Sequence, residues 1–133
     1  VCGLKEASGS FAYAARLQSR CGLPLYAGND TDILAVLAIG GCGVISVASN
    51  LVPELVFRLC AAWRAGEIET ARQLQLQLMP LCDALFCEVN PMPVKYAMQR
   101  IGWNAGPCRL PLWELSKEKK RQIDAVLAQY ELI

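Results

Sequence analysis

Three observations predict an α/β fold with parallel strands. First, three short apolar runs read as strands: VCGLKEA (1–7), LPLYAG (23–28) and GVISVAS (43–49). Second, helical patterns separate and follow them, giving the order β-α-β-α-β-α with loops of a few residues. That order is the signature of parallel strands joined by right-handed helical crossovers. Third, 54 % of the 133 residues are hydrophobic and only 19 % are charged, which suits strands buried on both faces by covering helices.

Each element has its own local reason. In SFAYAARLQSR (10–20), Ser10 is placed to cap a helix whose apolar positions are Phe11, Ala14, Ala15 and Leu17. Residues 30–39 start at Asp30, a cap residue, and put Ile33, Leu34, Leu37 and Ala38 on one face. Residues 51–65 form a third helix, with Pro53 tolerated in its first turn and Gly66 ending it. The alternation then stops. Residues 67–88 read as one long helix that Pro80 is expected to kink. Asn90-Pro91-Met92-Pro93 breaks the chain and predicts an extended entry into a helix over 93–101, which ends at Gly102. The stretch GPCRLPLWEL leads to Ser116, the cap of a last amphipathic helix, KEKKRQIDAVLAQYEL, whose basic start is expected to face solvent. The division drawn on this basis is 1–66, three βα units, and 67–133, a helical subdomain. Three strands leave two open sheet edges, and the first begins with no turn or cap, so the chain is expected to be the second part of something larger.

Composition narrows the chemistry. A net charge of +1 gives no reason to invoke nucleic acid. No apolar run reaches the ~18 residues needed to span a bilayer, and no signal peptide opens the chain. Seven cysteines occur with no C-x-x-C, and there is no histidine, so neither zinc sites of the usual kinds nor Ser-His and Cys-His nucleophile pairs find support. Thiols of this kind suit a reducing cytoplasm.

Lys5 is the conspicuous residue. A charge at the centre of a core strand is costly without a partner. Its neighbour Glu6 points to the opposite face of the strand and cannot readily pair with it, so an ion pair would need a carboxylate from another element. The other reading is a Schiff-base lysine, its ammonium pKa lowered by burial so that the free amine can act as a nucleophile. At the end of the second strand, Tyr26-Ala27-Gly28-Asn29-Asp30 combines a glycine that allows close approach with a possible Asp cap. Gly40-Gly41-Cys42-Gly43 precedes a strand, unlike the dinucleotide fingerprint, and reads as a helix C-cap plus tight turn.

Taken together, KEASG, YAGND, GGCGVISVASN and NPMPVK, in this order and at these separations, resemble the dihydrodipicolinate synthase / N-acetylneuraminate lyase family of pyruvate-dependent class I aldolases. The resemblance covers essentially the whole chain, and the lysine context and NPMPVK favour the synthase branch. It implies a fold class: the C-terminal part of a (β/α)8 TIM barrel, strands six to eight, followed by a helical subdomain.

It also implies roles. Lys5 matches the lysine that forms the imine with pyruvate, Ile45 the residue whose backbone contacts bound pyruvate, and Gly28 a glycine at the substrate end of the seventh strand. Asn29 stands where some members carry Asp. Phe11, Ala12 and Ile39 fall near a dimer–dimer contact of tetrameric members. No cofactor is implied beyond the covalent imine through Lys5. The implied partners are pyruvate and aspartate semialdehyde, together with a homo-oligomer or the N-terminal half of a barrel, and neither nucleic acid nor a membrane. The family's Thr-Thr pair, its relay tyrosines and its substrate-binding arginine lie upstream of the lysine, and none of Tyr13, Tyr26, Tyr96 and Tyr130 matches the relay position. The chain alone is therefore expected to be inactive. Two alternatives stand beside this reading: an aldolase of a sugar acid, and a non-catalytic half-barrel that self-associates.

Overall fold

A computed structural model describes all residues from 1 to 133. The chain forms two compact units, Val1–Leu78 and Met79–Ile133. The first carries a three-stranded, all-parallel sheet of order β1-β2-β3, formed by β1 (Leu4–Glu6), β2 (Leu25–Ala27) and β3 (Gly43–Val44). Helices α1 (Phe11–Arg20), α2 (Ile33–Ala38) and α3 (Pro53–Arg64) follow the strands in turn. The predicted βα order is therefore present, with every strand shorter than its apolar run.

Ser10 caps α1 as its spacing suggests, its Oγ accepting the Tyr13 N–H at 3.3 Å. Pro53 opens α3, where the missing N–H is not needed. The core of this unit is mainly apolar: Leu25, Ala27, Ile33, Ala48 and Leu59 are at most 1 % exposed. Leu25 and Ala27 lie on the same sheet face, because residues two apart share a face. That face packs against α2, which also touches α1, α3 and β3.

Gly41 is fixed by close approach. A Cβ there would stand 2.6 Å from the Val36 carbonyl oxygen and closer still to a Val36 methyl, so only glycine lets the chain leave α2 and turn into β3. At the start of β3, Arg64 of α3 donates through an Nη to the Cys42 carbonyl at 2.8 Å, tying the third helix back to its own strand.

The long helix α4 (Ile68–Leu85) runs from the first unit into the second. Residues 67–78, placed with the helical subdomain by the loss of βα alternation, pack within the first unit. Ala71, Leu74 and Leu78 are buried there, and Leu81, Cys82 and Leu85 are buried in the second unit. Pro80 lies inside this helix with its ring exposed.

The second unit adds α5 (Met92–Arg100) and α6 (Lys117–Gln129), which pack on each other. The entry to α5 differs from expectation. Met92 is already helical, and Pro91 before it sits at φ −102°, ψ 20° after a cis Asn90–Pro91 bond, so the chain enters through a turn and not an extended segment. Ser116 caps α6 through the Lys119 N–H at 3.2 Å. The basic start of α6 is not wholly a solvated face. Lys120 is half-buried; its Nζ donates to Glu114 at 3.1 Å and lies 5.7 Å from the Tyr96 ring centroid. Across the helix pair, the Asp124 carboxylate accepts from the Tyr96 hydroxyl at 3.1 Å and from Arg100 Nε at 2.7 Å. Burial, with the nearby carboxylate second, pushes the Tyr96 phenol above its ordinary pKa.

The cysteines divide by environment. Cys2 and Cys42 are exposed, whereas Cys60 and Cys82 are buried in their helices. Burial pushes the Cys60 thiol up, against the opposing pull of Arg64. Since the thiolate is the reactive form, iodoacetamide just above neutral pH is expected to label Cys2 and Cys42 first. Cys60 and Cys82 should label only once denaturant opens the fold, as peptide mapping would record; early labelling of Cys60 would contradict this packing.

Candidate active site

The predicted site residues come together where the three parallel strands end. Lys5 is the middle residue of β1, Gly28 follows the last residue of β2, and Ile45 follows the last residue of β3. Backbone hydrogen bonds lace these ends together: Gly28 N–H donates to the Glu6 carbonyl at 2.6 Å, and Ile45 N–H donates to the Ala27 carbonyl at 2.9 Å. Register pairs Lys5 with Tyr26, and Tyr26 with Gly43. Paired residues of parallel strands share a face, so these three stand on the face opposite Leu25 and Ala27. The Tyr26 ring lies across this face. Its edges come within 3.3 Å of where a Cβ on Gly3 would stand and 3.7 Å of one on Gly43, so the two glycines leave room for the ring.

Lys5 itself is exposed. The expectation of a buried lysine is thus corrected for this chain. The helices cover one face of the sheet, and no element of the 133 residues covers the other at Lys5. None of the chain's three ion pairs includes Lys5. As the alternation of a strand requires, Glu6 faces the other way: it is 7 % exposed, and its Oε1 accepts the Ser8 N–H at 2.7 Å. The glutamate of KEASG therefore shapes the turn out of β1 and does not neutralise the lysine.

Gly28 has a steric reason that its sequence context only hinted at. A Cβ there would lie 2.5 Å from the Glu6 carbonyl oxygen and 2.6 Å from the Ala7 Cβ. Asn29 is half-buried, and its Nδ2 donates to Asp32 at 3.1 Å, so its side chain is engaged in its own turn. Ile45 is 49 % exposed.

The residue that sequence reasoning misplaced is Asp30. It was expected to cap the helix it begins. Its carboxylate instead crosses to the segment after β3, where Oδ1 accepts the Ser46 hydroxyl and Oδ2 accepts the N–H groups of Val47 at 2.9 Å and Ala48 at 3.2 Å. This satisfies the start of a 3-10 turn, Ala48–Asn50, and is why β3 stops at Val44 well short of residue 49. Asp30 is 1 % exposed, and its own carbonyl accepts from Gln75 Nε2 at 3.0 Å while Gln75 Oε1 accepts the Leu34 N–H at 3.0 Å. The signal available in the sequence was the stretch Ser46-Val47-Ala48-Ser49-Asn50, whose serines and asparagine suggest a turn after the strand; nothing local says that its partner lies sixteen residues upstream.

A cavity of about 300 Å³ lies elsewhere, in the second unit between α5, residues 106–115 and Lys120 of α6. No predicted site residue lines it. No helix is long and apolar enough to cross a membrane.

Comparison with known proteins addresses the family directly. A 4-hydroxy-tetrahydrodipicolinate synthase of Thermoanaerobacter sp. (strain X514) is 43 % identical over 135 aligned residues, a match that covers all of this chain and 46 % of that protein. A crystal structure of a dihydrodipicolinate synthase superposes with a TM-score of 0.95 at 38 % identity, over 100 % of this chain and 46 % of the other. The enzyme of Acinetobacter baumannii, crystallised with pyruvate and described as chloride-inhibited, superposes at 0.92 with 29 % identity, again over 100 % of this chain and 46 % of that one. The chain thus spans about half the length of the relatives it matches. Its three parallel βα units are part of a TIM barrel, as the sequence predicted. A sequence profile of the dihydrodipicolinate synthetase family matches residues 1–130, and the chain belongs to that family.

Proposed function

We propose that the complete protein condenses pyruvate with aspartate 4-semialdehyde to give 4-hydroxy-tetrahydrodipicolinate, a step toward diaminopimelate and lysine. The observation that carries this reading is the placement of Lys5 beside Gly28 and Ile45 at the C-terminal ends of adjacent parallel strands, the end at which barrel enzymes hold their catalytic groups.

In this mechanism Lys5 Nζ, as the free amine, attacks the ketone carbon of pyruvate. Water leaves, and an imine forms. The imine withdraws electrons from the neighbouring methyl group, which loses a proton to give an enamine. The enamine carbon attacks the aldehyde of the semialdehyde and forms the new C–C bond. The amino group of the former semialdehyde then attacks the imine carbon, closes the ring and expels Lys5 Nζ. Ile45, through its backbone, and Gly28, by keeping the β1–β2 ends close, shape the pyruvate end of the site; Asn29 borders it. No cofactor takes part. The reading also includes a cytoplasmic setting, on the chemistry of a thiol-rich chain. It includes a homo-oligomer, supported by Phe11 and Ala12, exposed on α1, and by the half-buried Ile39.

The test compares two proteins. Residues 1–133 alone, with Lys5 on an uncovered sheet face, are expected to show no turnover with pyruvate and aspartate semialdehyde. The same residues joined behind the upstream barrel strands of the Thermoanaerobacter relative are expected to turn over. Activity in the 133-residue chain, or none in the complete barrel despite a folded protein, would contradict the proposal.

A further inference from the structure

We propose that Asp30 is a positioning residue for the keto-acid substrate: it sets the orientation of the Ile45–Ser46 peptide through a hydrogen-bonded bridge between the ends of β2 and β3. This rests on the reading that the Ile45 backbone contacts pyruvate.

Both ends of the bridge are held. On one side Asp30 is fixed by α4, where Gln75 binds the Asp30 carbonyl and the Leu34 N–H at 3.0 Å each. On the other, all three donors to the carboxylate come from one short segment: the Ser46 hydroxyl, the Val47 N–H and the Ala48 N–H. That segment begins one residue after Ile45. The Ser46 Oγ also accepts the Ser49 N–H at 2.8 Å, so the hydroxyl is committed at both its hydrogen and its lone pair. Ile45 N–H is already taken by the Ala27 carbonyl. With that N–H fixed and the Ser46 side chain and Val47 N–H clamped, the peptide plane carrying the Ile45 carbonyl has little freedom to rotate.

The expense of the arrangement argues for a purpose beyond capping. Asp30 is 1 % exposed and belongs to none of the chain's ion pairs, and its carboxyl oxygens are met by hydrogen-bond donors. A buried carboxylate is costly unless its lone pairs are satisfied. The 3-10 turn Ala48–Asn50 already has a local serine, Ser46, accepting its Ser49 N–H, and the carboxylate from the other strand end is added to that. A carboxylate reaching from the neighbouring strand end links two loops that border the same site, and a misplacement of about 1 Å at such a site can cost about 100-fold.

The experiment uses the complete barrel described above. Pyruvate is titrated, the imine is trapped with borohydride, and the adduct on Lys5 is counted by peptide mapping. In the parent protein, Lys5 is expected to be trapped. In Asp30→Asn, which keeps the shape but replaces an acceptor with a donor facing the segment's own donors, half-maximal trapping is expected to need roughly tenfold more pyruvate. Trapping at saturating pyruvate should remain complete. Should Asp30→Asn fail to fold, Ser46→Ala removes only the hydroxyl and should give a smaller rise of the same kind. Parent protein trapped on Lys5, with either folded variant needing no more pyruvate than the parent, would overturn the role of Asp30 and leave that of Lys5 standing. A parent protein not trapped on Lys5 would overturn both.

Discussion

Lys5→Arg is expected to reduce pyruvate-dependent turnover of the complete barrel to background, a loss of about a thousandfold or more. Arginine keeps the positive charge and much of the length, so the substitution isolates one property. A guanidinium stays protonated at all accessible pH values and offers no amine lone pair to attack a ketone. Because Lys5 is exposed in this chain and makes no ion pair, nothing in its packing would be lost. The urea midpoint of the 133-residue chain should therefore move by less than about 0.5 kcal/mol equivalent. The checking measurements are initial rates with both substrates and an unfolding curve for each protein. Turnover that survives the substitution would remove Lys5 from the chemistry. A large loss of stability would mean that the residue also serves the fold.

Gly28→Ala carries the second large effect, and here the target is the fold. The added Cβ would meet the Glu6 carbonyl oxygen at 2.5 Å and the Ala7 Cβ at 2.6 Å. The first of these is backbone of the adjacent strand, so no side-chain rotation relieves it. β1 and β2 must separate, and the 2.6 Å bond from Gly28 N–H to the same carbonyl lengthens with them. Strain of this kind and a weakened hydrogen bond together should cost about 3 kcal/mol, read as a shift of the urea midpoint. Gly22→Ala is the control. A Cβ at Gly22 meets nothing within 4 Å and its φ is ordinary, so the change should stay within about 0.5 kcal/mol. Equal effects at the two positions would refute the steric account of Gly28. In the complete barrel the same separation moves the strand ends that frame the site, so Gly28→Ala should also weaken pyruvate trapping.

These two residues also mark the limit of what sequence reading reaches. The βα order, the Ser10 and Ser116 caps and the start of α3 at Pro53 were legible because each depends on residues a few positions apart. The family resemblance names Lys5, Gly28 and Ile45 together, and strand pairing and backbone bonds put all three near neighbouring strand ends. Contacts between elements were not legible. Asp30 looked like a cap for its own helix because the caps nearest in sequence usually are; its actual donors belong to the turn after β3. That Glu6 faces away from Lys5 was legible from strand alternation; that its carboxylate turns back to the Ser8 N–H was not. The exposure of Lys5 was misjudged for a different reason. An apolar strand context says that a sheet face wants covering, not that the chain in hand supplies the cover.

The division of the chain shows the same limit. Gly66 ends the βα pattern, yet residues 67–78 of the next helix pack with the first unit, where Gln75 holds the Asp30 carbonyl. Periodicity marks where a pattern stops. It does not say which core the following helix fills.

The most direct measurement of the central claim, that Lys5 is the imine-forming amine, is peptide mapping of the complete barrel after treatment with pyruvate and borohydride. The chain offers four internal controls in Lys95, Lys117, Lys119 and Lys120. The account predicts a reduced pyruvate adduct on Lys5 and on none of these four, lost when Lys5 is replaced by arginine. An adduct spread evenly over the surface lysines, or a folded protein with no adduct on Lys5, would contradict it.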